Sequence, residues 1–400
     1  MKPKIIAGLD IGTYSIKMGV AKIKEDGTLE SLGFAEEQSS GVRKGSVIKP
    51  EEVSQHIISL KERIENVSSQ KIRGVFVNIG GSHIAISPSH GIVAVSRADG
   101  LISEEDVERV IGASQVFSLP SNKEILDVFP QQFIVDGVAC EKEVVGMKGV
   151  RLEADVLAIC AFSPYIKNLT DAVLGSDLEI LEMVPSPLMG VDAALTSQQK
   201  ENGVALIDLG AGTTNVAVFE EGELIHASVF PVGSENITND IAIGLRTEHD
   251  IAERAKKEFG TFGFVKGKRV EKLETQDGPP LTFSVKSLTH IIEARMREIF
   301  KFVNAELKKV EKQGTLPGGA VLTGGGAKLP KIAEFAKKEL KLPCRVGSPR
   351  NIITFETDQV FFGAMGLIVR GYFSKSEGFM QGGRQGLLHS VKKLFKVFIP

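Results

Sequence analysis

Two segments of this 400-residue chain repeat one pattern: an apolar run ends in an Asp, a Gly and hydroxyl residues, then resumes as an apolar-rich run. The copies are Leu9-Asp10-Ile11-Gly12-Thr13 and Ile207-Asp208-Leu209-Gly210-Ala211-Gly212-Thr213-Thr214. Such a duplication predicts two matched β-hairpins, one in each half of the molecule, clamping one phosphate chain between them. The leading runs, Ile5-Ile6-Ala7-Gly8-Leu9 and Val204-Ala205-Leu206-Ile207, are short and rich in β-branched residues, as buried strands are. At Gly12, Gly210 and Gly212 the missing Cβ permits a tight turn whose backbone N–H groups can approach a phosphate. Thr13, Ser15, Thr213 and Thr214 add hydroxyl donors, and Lys17 a point charge suited to a β- or γ-phosphate. Asp10 and Asp208 are placed to hold a hydrated Mg²⁺ through its water shell. One glycine-rich hairpin is more often merely a turn; two matched copies are harder to ascribe to chance.

A third element has related chemistry. Ala320-Val321-Leu322-Thr323 runs into Gly324-Gly325-Gly326-Ala327-Lys328-Leu329, followed by the helix-like Ile332-Ala333-Glu334-Phe335-Ala336. The three glycines read either as a flexible loop or as bare backbone on which a flat ring can lie, with Lys328 beside it. Hairpin, hairpin and glycine turn, in this order and at these wide spacings, resemble the actin-like ATPase superfamily, which also holds sugar kinases and the large ATP-dependent chaperones. Outside the turns, Gly146-Met147-Lys148-Gly149-Val150-Arg151-Leu152-Glu153 resembles a signature of the bacterial cell-division protein family FtsA. So do Ile102-Ser103-Glu104-Glu105-Asp106-Val107, and Ser228-Val229-Phe230-Pro231-Val232-Gly233 leading to Ile237-Thr238-Asn239-Asp240-Ile241-Ala242. The resemblance runs from Lys4 to Tyr372 and returns at the C-terminal tip. It implies an α/β, two-lobed actin-like ATPase fold with an inserted small α+β subdomain and a C-terminal amphipathic helix, and it implies ATP and Mg²⁺ as ligands.

Length suits such a molecule, since 400 residues correspond to roughly two to three core-forming units. A formal net charge of −2 gives no global bias toward nucleic acid, so any basic function is local. Cys140, Cys160 and Cys344 lie far apart without metal-ligand spacing and read as reduced, buried thiols. With no signal-peptide pattern after Met1 and no apolar run long enough to span a bilayer, a cytoplasmic protein is expected.

Along the chain, 1–83 reads as the first part of the first lobe, including a helix from Pro50 to Ile64. Residues 84–164 form the inserted unit, reading strand, helix, strand, strand, with a capping box at Ser103 and Asp106. Such an insertion could be a lid over substrate; the resemblance instead makes it the subdomain that replaces one actin subdomain. The first lobe resumes at 165–199, and the second lobe occupies 200–232 and 316–353. Between them, 233–315 is a mostly helical subdomain ending in a long helix from Val285 to Val310. Residues 354–373 close onto the first lobe, 374–386 read as a linker, and 387–400 as a membrane-targeting helix.

Phosphoryl transfer depends chiefly on positioning and charge stabilisation, so hydrolysis needs a group that orients water. At the place of the actin glutamine stands Asp192, which is either that catalytic group or a surface carboxylate on a helix. Ala211 stands where actin has a carboxylate and Asn215 where several relatives carry Asp, so any Mg-dependent ATPase activity is expected to be weak. The resemblance adds Gly233 to the nucleotide-contacting residues and brings Glu253 and Lys256 toward ribose and adenine; read alone, both are solvated helix charges.

At about 100° per residue, Leu387, Leu388, Val391, Leu394, Phe395, Phe398 and Ile399 share one arc, and His389, Lys392, Lys393 and Lys396 the other. That separation is that of an interfacial helix lying on a membrane. Each Lys near an anionic leaflet contributes about 1 kcal/mol, so one tail binds modestly and a polymer of tails far more tightly. Together the expectations are an ATP-binding, polymer-forming adaptor, peripheral on the inner face of the cell membrane at the division site, that tethers the FtsZ ring. Its partners would be the FtsZ C-terminal peptide, further copies of itself as a filament, and anionic lipid; nucleic acid is not expected. The resemblance places the FtsZ tail on the second lobe's helical part, with Arg295 and then Arg297 as its anionic-peptide contacts, or as ordinary helix-surface charges. A pilus-assembly adaptor of the same build and, less readily, a small-molecule kinase are the alternatives.

Overall fold

The computed structural model describes residues 4–115, 122–140, 143–264, 269–275, 279–354, 356 and 358–377. The chain opens with β1 (Lys4–Ile11), β2 (Ser15–Ile23) and β3 (Leu29–Gln38), a meander whose β1 pairs antiparallel with β2 from Lys4↔Ile23 to Ile11↔Ile16. A small ribbon, β4 (Val42–Arg43) with β5 (Ser46–Val47), precedes α1 (Pro50–Ser68) and the parallel strand β6 (Gly74–Ile79). Pro50 opens α1 where its missing N–H costs nothing, and Val53, Ile57, Leu60 and Ile64 bury one stripe of it against the sheet.

The inserted unit follows: β7 (Ala85–Ala94), α2 (Glu104–Ser114), β8 (Lys123–Val135), β9 (Val138–Cys140) and β10 (Arg151–Phe162). Its sheet runs β7-β10-β8-β9, and α2 covers one face through Val107, Val110 and Ile111, giving the unit its own core. The capping box is real: Asp106 N–H donates to the Ser103 hydroxyl and Ser103 N–H to the Asp106 carboxylate. Those bonds and the Arg109 guanidinium hold the Asp106 carboxyl far below the usual range, against the opposing effect of burial.

β10 leads directly into α3 (Ser163–Leu174) and β11 (Glu179–Pro185), which completes the first sheet in the order β11-β6-β1-β2-β3. Two short helices, α4 (Val191–Ala194) and α5 (Ser197–Asn202), carry the chain into the second lobe. There β12 (Val204–Leu209), β13 (Thr214–Glu220) and β14 (Glu223–Phe230) repeat the first meander. A helical unit follows, with α6 (Ser234–Leu245), α7 (His249–Phe259), the ribbon β15 (Val270–Leu273) and β16 (Leu281–Ser284), and α8 (Val285–Lys309). β17 (Ala320–Thr323), α9 (Ile332–Leu340) and β18 (Cys344–Val346) finish the second sheet, ordered β14-β13-β12-β17-β18.

The closing helix α10 (Phe362–Glu377) packs back on the first lobe, with Ala364, Leu367 and Ile368 buried against β1 and β2. Its backbone passes the Ser374 position at which the sequence places the start of a linker. The Ser374 hydroxyl donates to Glu182 and Tyr372 Oη to the Gly27 carbonyl, and these bonds extend the helix over a polar stretch. The amphipathic tip 387–400 lies outside the described residues.

Candidate functional site

The two hairpins are superposable in register as well as in sequence. Asp10 stands opposite Lys17 across β1 and β2, and Asp208 stands opposite Asn215 across β12 and β13. Both turns close with the same bond: Gly12 N–H donates to Ser15 O at 3.2 Å, and Gly210 N–H to Thr213 O at 2.9 Å. The turns meet across the lobes, since a Cβ at Gly212 would lie 2.5 Å from Thr13 Oγ1. Thr13 Oγ1 also accepts from Gly45 N–H at 2.9 Å, and Thr213 packs beside Gly45.

Asp10 is buried at this junction and Asp208 half-buried. Lys17 Nζ lies 3.7 Å from Asp10 Oδ2 and donates to Ser15 O at 3.1 Å. Burial pushes the Asp10 carboxyl above its ordinary range, with Lys17 pulling the other way. Asp208 accepts from Asn215 Nδ2 at 2.9 Å and from Thr323 Oγ1 at 3.3 Å. It is nevertheless pushed up to about 6, by burial first and by the neighbouring Asp10 charge, against those two donors. Asn215 Oδ1 is buried without a partner among the described residues. One buried and one half-buried carboxylate, with Lys17 paired to the first, form a site short of positive charge.

Bare backbone surrounds the pair. A Cβ at Gly363, at the start of α10, would lie 2.6 Å from Asp10 Oδ2, and one at Gly324 would lie 2.5 Å from Asp208 Oδ1. Gly324 also holds φ at +83°, a conformation that favours glycine. Gly326 is pressed against Leu209, so two of the three consecutive glycines serve the packing of the turn on β12. Only Gly325 has open space, its nearest neighbour for a Cβ being Val360 at 3.9 Å.

Several expected contacts go elsewhere. Thr214 is fully buried and its hydroxyl donates to Val232 O at 2.8 Å, which fixes the loop leading to Gly233 rather than offering a donor to a phosphate. Ser15 is buried too, at 2% exposure. Gly233 is required for close approach: its Cβ would fall 2.3 Å from Ala211 O, and the amides of Ser234 and Glu235 cap the turn carbonyls of Gly210 and Ala211. Lys328 is paired with Asp358 at 2.6 Å. Asp192 is held by Lys200 at 3.3 Å and Arg370 at 3.7 Å, and Arg370 is shared with Glu182 on β11. Its carboxylate therefore braces α4 and α10, and the role of water-orienting group is not supported by its partners.

On α7, Lys256 is 7% exposed and bonded to Glu253 at 2.6 Å, to Thr238 Oγ1 at 2.7 Å and to Ser234 O at 3.1 Å. Burial depresses Lys256, while Lys256 and Thr238 hold Glu253 low against its own burial. These are built-in charges at the N-terminus of α6, beside the second turn, and not a solvated helix face. Arg295 grips Asp240 with two bonds, at 2.6 and 2.9 Å, and also pairs with Glu298. Arg297 pairs with Glu339 at 3.3 Å and lies over the Phe335 ring at 5.8 Å. Leu387, Leu388, Val391, Lys392, Lys393, Leu394, Phe395, Lys396, Phe398 and Ile399 lie outside the described residues.

Asn78, Thr323 and Gly363 are the site residues that the sequence reading misses. Asn78 Oδ1 accepts from Ile11 N–H at 2.7 Å and its amide donates to Ser186 Oγ at 3.2 Å, pinning the first turn to two other elements. Thr323 immediately precedes the glycine turn and Gly363 follows two phenylalanines, positions that an apolar-run-then-glycine search could have reached.

Two lobes of repeated topology, each sending an Asp-bearing hairpin to a shared junction, define an actin-like molecule. Solved structures agree on the fold: the PilM-PilN type IV pilus biogenesis complex matches with a TM-score of 0.66 at 17% identity, covering 92% of this chain and 98% of that one. MreB5 of Spiroplasma citri bound to ADP matches with a TM-score of 0.57 at 14% identity, covering 95% and 99%. The family is set by sequence. A model described as Cell division protein FtsA matches residues 205–366, and one described as SHS2 domain inserted in FTSA matches 81–160. The cell division protein FtsA of Bacillus subtilis is 38% identical over 87% of this chain and 80% of its own length. That of Pseudomonas aeruginosa is 33% identical over 94% and 91%. The chain belongs to the FtsA family of cell division proteins. Among the described residues, no helix is long and apolar enough to cross a membrane.

Proposed function

We propose that this chain binds ATP with Mg²⁺ between its lobes, assembles with copies of itself, and tethers the FtsZ ring to the inner face of the cell membrane. The observation that carries the nucleotide reading is the register match of Asp10 and Asp208 at touching glycine turns, a junction with buried negative charge and bare backbone. Mg²⁺ dehydrates reluctantly and is held by one or two carboxylates through its waters, which suits this pair. Lys17 and the bare backbone of the two turns would face phosphates, the Gly12 and Gly210 amides being spent on closing those turns, and Glu253 and Lys256 would face the ribose and base. When bound, the cation would supply the positive charge that the two carboxylates lack. With Asp192 engaged by Lys200 and Arg370, turnover is expected to be slow.

The membrane and FtsZ parts rest on the family and on the charge separation of the tip 387–400. An FtsZ tail docking at Arg295 or Arg297 would have to displace Asp240 or Glu339, so its acidic groups would replace carboxylates already in place. The test is co-sedimentation with anionic vesicles, comparing the intact protein with a truncation after Gly386, with and without ATP and FtsZ. The reading expects the intact protein alone to pellet and to carry FtsZ with it. Equal pelleting of the truncation, or FtsZ left in solution, would contradict it.

A further inference from the structure

Tyr14 occupies the tip of the first turn, at the register position that Gly212 holds in the second. Gly212 must be bare because Thr13 lies on it. Nothing in the turn requires a large side chain at Tyr14, a residue that is 42% exposed. The ring reaches across to the other lobe: Lys257 Nζ on α7 lies 5.1 Å from its centroid and 3.4 Å from its Oη. Both ends are anchored. Tyr14 O accepts from Ser39 N–H at 3.0 Å, and Lys257 is paired with Glu253 at 3.3 Å, the carboxylate that also binds Lys256.

At α4 the lobes are joined by bonds to main-chain carbonyls. Arg350 N–H donates to Ala193 O at 2.9 Å, Arg345 to Ala194 O at 2.9 Å, and Asn351 to Asp192 O at 3.0 Å. The Tyr14–Lys257 contact is instead made by two side chains, one on the first turn and one on the helix that carries the Glu253–Lys256 pair. Resting on the nucleotide reading above, we propose that Tyr14 and Lys257 form a latch between the lobes that must open for nucleotide to leave, and so sets its residence time.

The strength of an exposed cation–π contact sets the scale, at about two- to fivefold in rate. The experiment is stopped-flow displacement of a fluorescent ATP analogue from the full chain with Mg²⁺. It compares the native protein with Tyr14→Ala, Lys257→Met, Tyr14→Ala/Lys257→Met and Tyr14→Phe, each checked for unchanged thermal unfolding. The off-rate should rise about two- to fivefold in either single variant. The double variant should be no faster than the singles, because the two side chains act as one contact. Tyr14→Phe, which keeps the ring, should stay near the native rate. Unchanged off-rates in the single variants, or additive increases in the double, would overturn the latch and leave nucleotide binding standing. Absence of analogue binding to the native protein would overturn both readings.

Discussion

In the first hairpin the residue facing the aspartate across the strand pair is Lys17; in the second, the same register holds Asn215. The turns close with the same bond, yet one half supplies its own cation and the other only an amide. The amide favours the ionised carboxylate but adds no charge, so burial and Asp10 still raise Asp208 to about 6. Duplication thus preserves the turn backbone and divides the electrostatics. The first half holds a point charge, and the second holds a carboxylate that a bound cation would relieve.

The largest expected effect breaks the second half by its backbone. Gly324→Val places a Cβ against Asp208 Oδ1 and Leu209 O at φ +83°, and each fault costs about 1–3 kcal/mol. At Gly363→Ala the nearest atoms are those of the Asp10 side chain and Met189 Cε, none of them backbone, so it should cost less. Chemical denaturation of the two variants orders them; a more damaging Gly363→Ala would reverse the comparison.

Next comes the charge itself. In the unfolded chain Asp208 titrates near 3.8 and in the folded protein near 6, so the folded state holds its proton more tightly. Stability is fully present below the lower value, falls as pH rises between the two, and stays reduced above 6. A shift of this size corresponds to about 3 kcal/mol. Asp208→Asn should therefore stabilise the nucleotide-free protein at pH 7.5 by up to that amount, and the gain should shrink as pH falls from 6 to 4. Unfolding midpoints of both proteins across that range would show it; a gain that grows on acidification would contradict the sign.

Binding should follow the same titration in the opposite sense. Mg²⁺-nucleotide bound as proposed needs the ionised carboxylate, so affinity at pH 5 should be roughly tenfold weaker than at pH 7.5, with the dependence lost in Asp208→Asn. Calorimetric titration at the two pH values measures this. The smallest effect is expected from Asn215→Ala, which removes one amide donor whose place water takes, and which moves the pH dependence further upward.

Local pattern made the turns legible. Apolar β-branched runs cut off by Asp and Gly marked β1, β2, β12 and β13, and Ser103 with Asp106 marked the start of α2. What eluded the sequence were partners brought together by the tertiary fold. Asp192 meets Arg370 from a helix at the other end of the chain, Arg295 meets Asp240 from α6, and Lys328 meets Asp358. A lone charge in a sequence reads as available; in the folded protein each of these is spoken for. Polar composition misled in the same way at Ser374, where a bond to Glu182 continues α10 through residues that read as linker.

The central claim is that the two hairpins act as one Mg²⁺-nucleotide site. ATP titrations of the native protein, Asp10→Asn, Asp208→Asn and the double variant, with and without Mg²⁺, test it most directly. Joint action predicts Mg²⁺-dependent binding in the native protein, loss of the Mg²⁺ dependence in either single variant, and a double variant little worse than the singles. Binding indifferent to Mg²⁺, or independent contributions from the two aspartates, would contradict it.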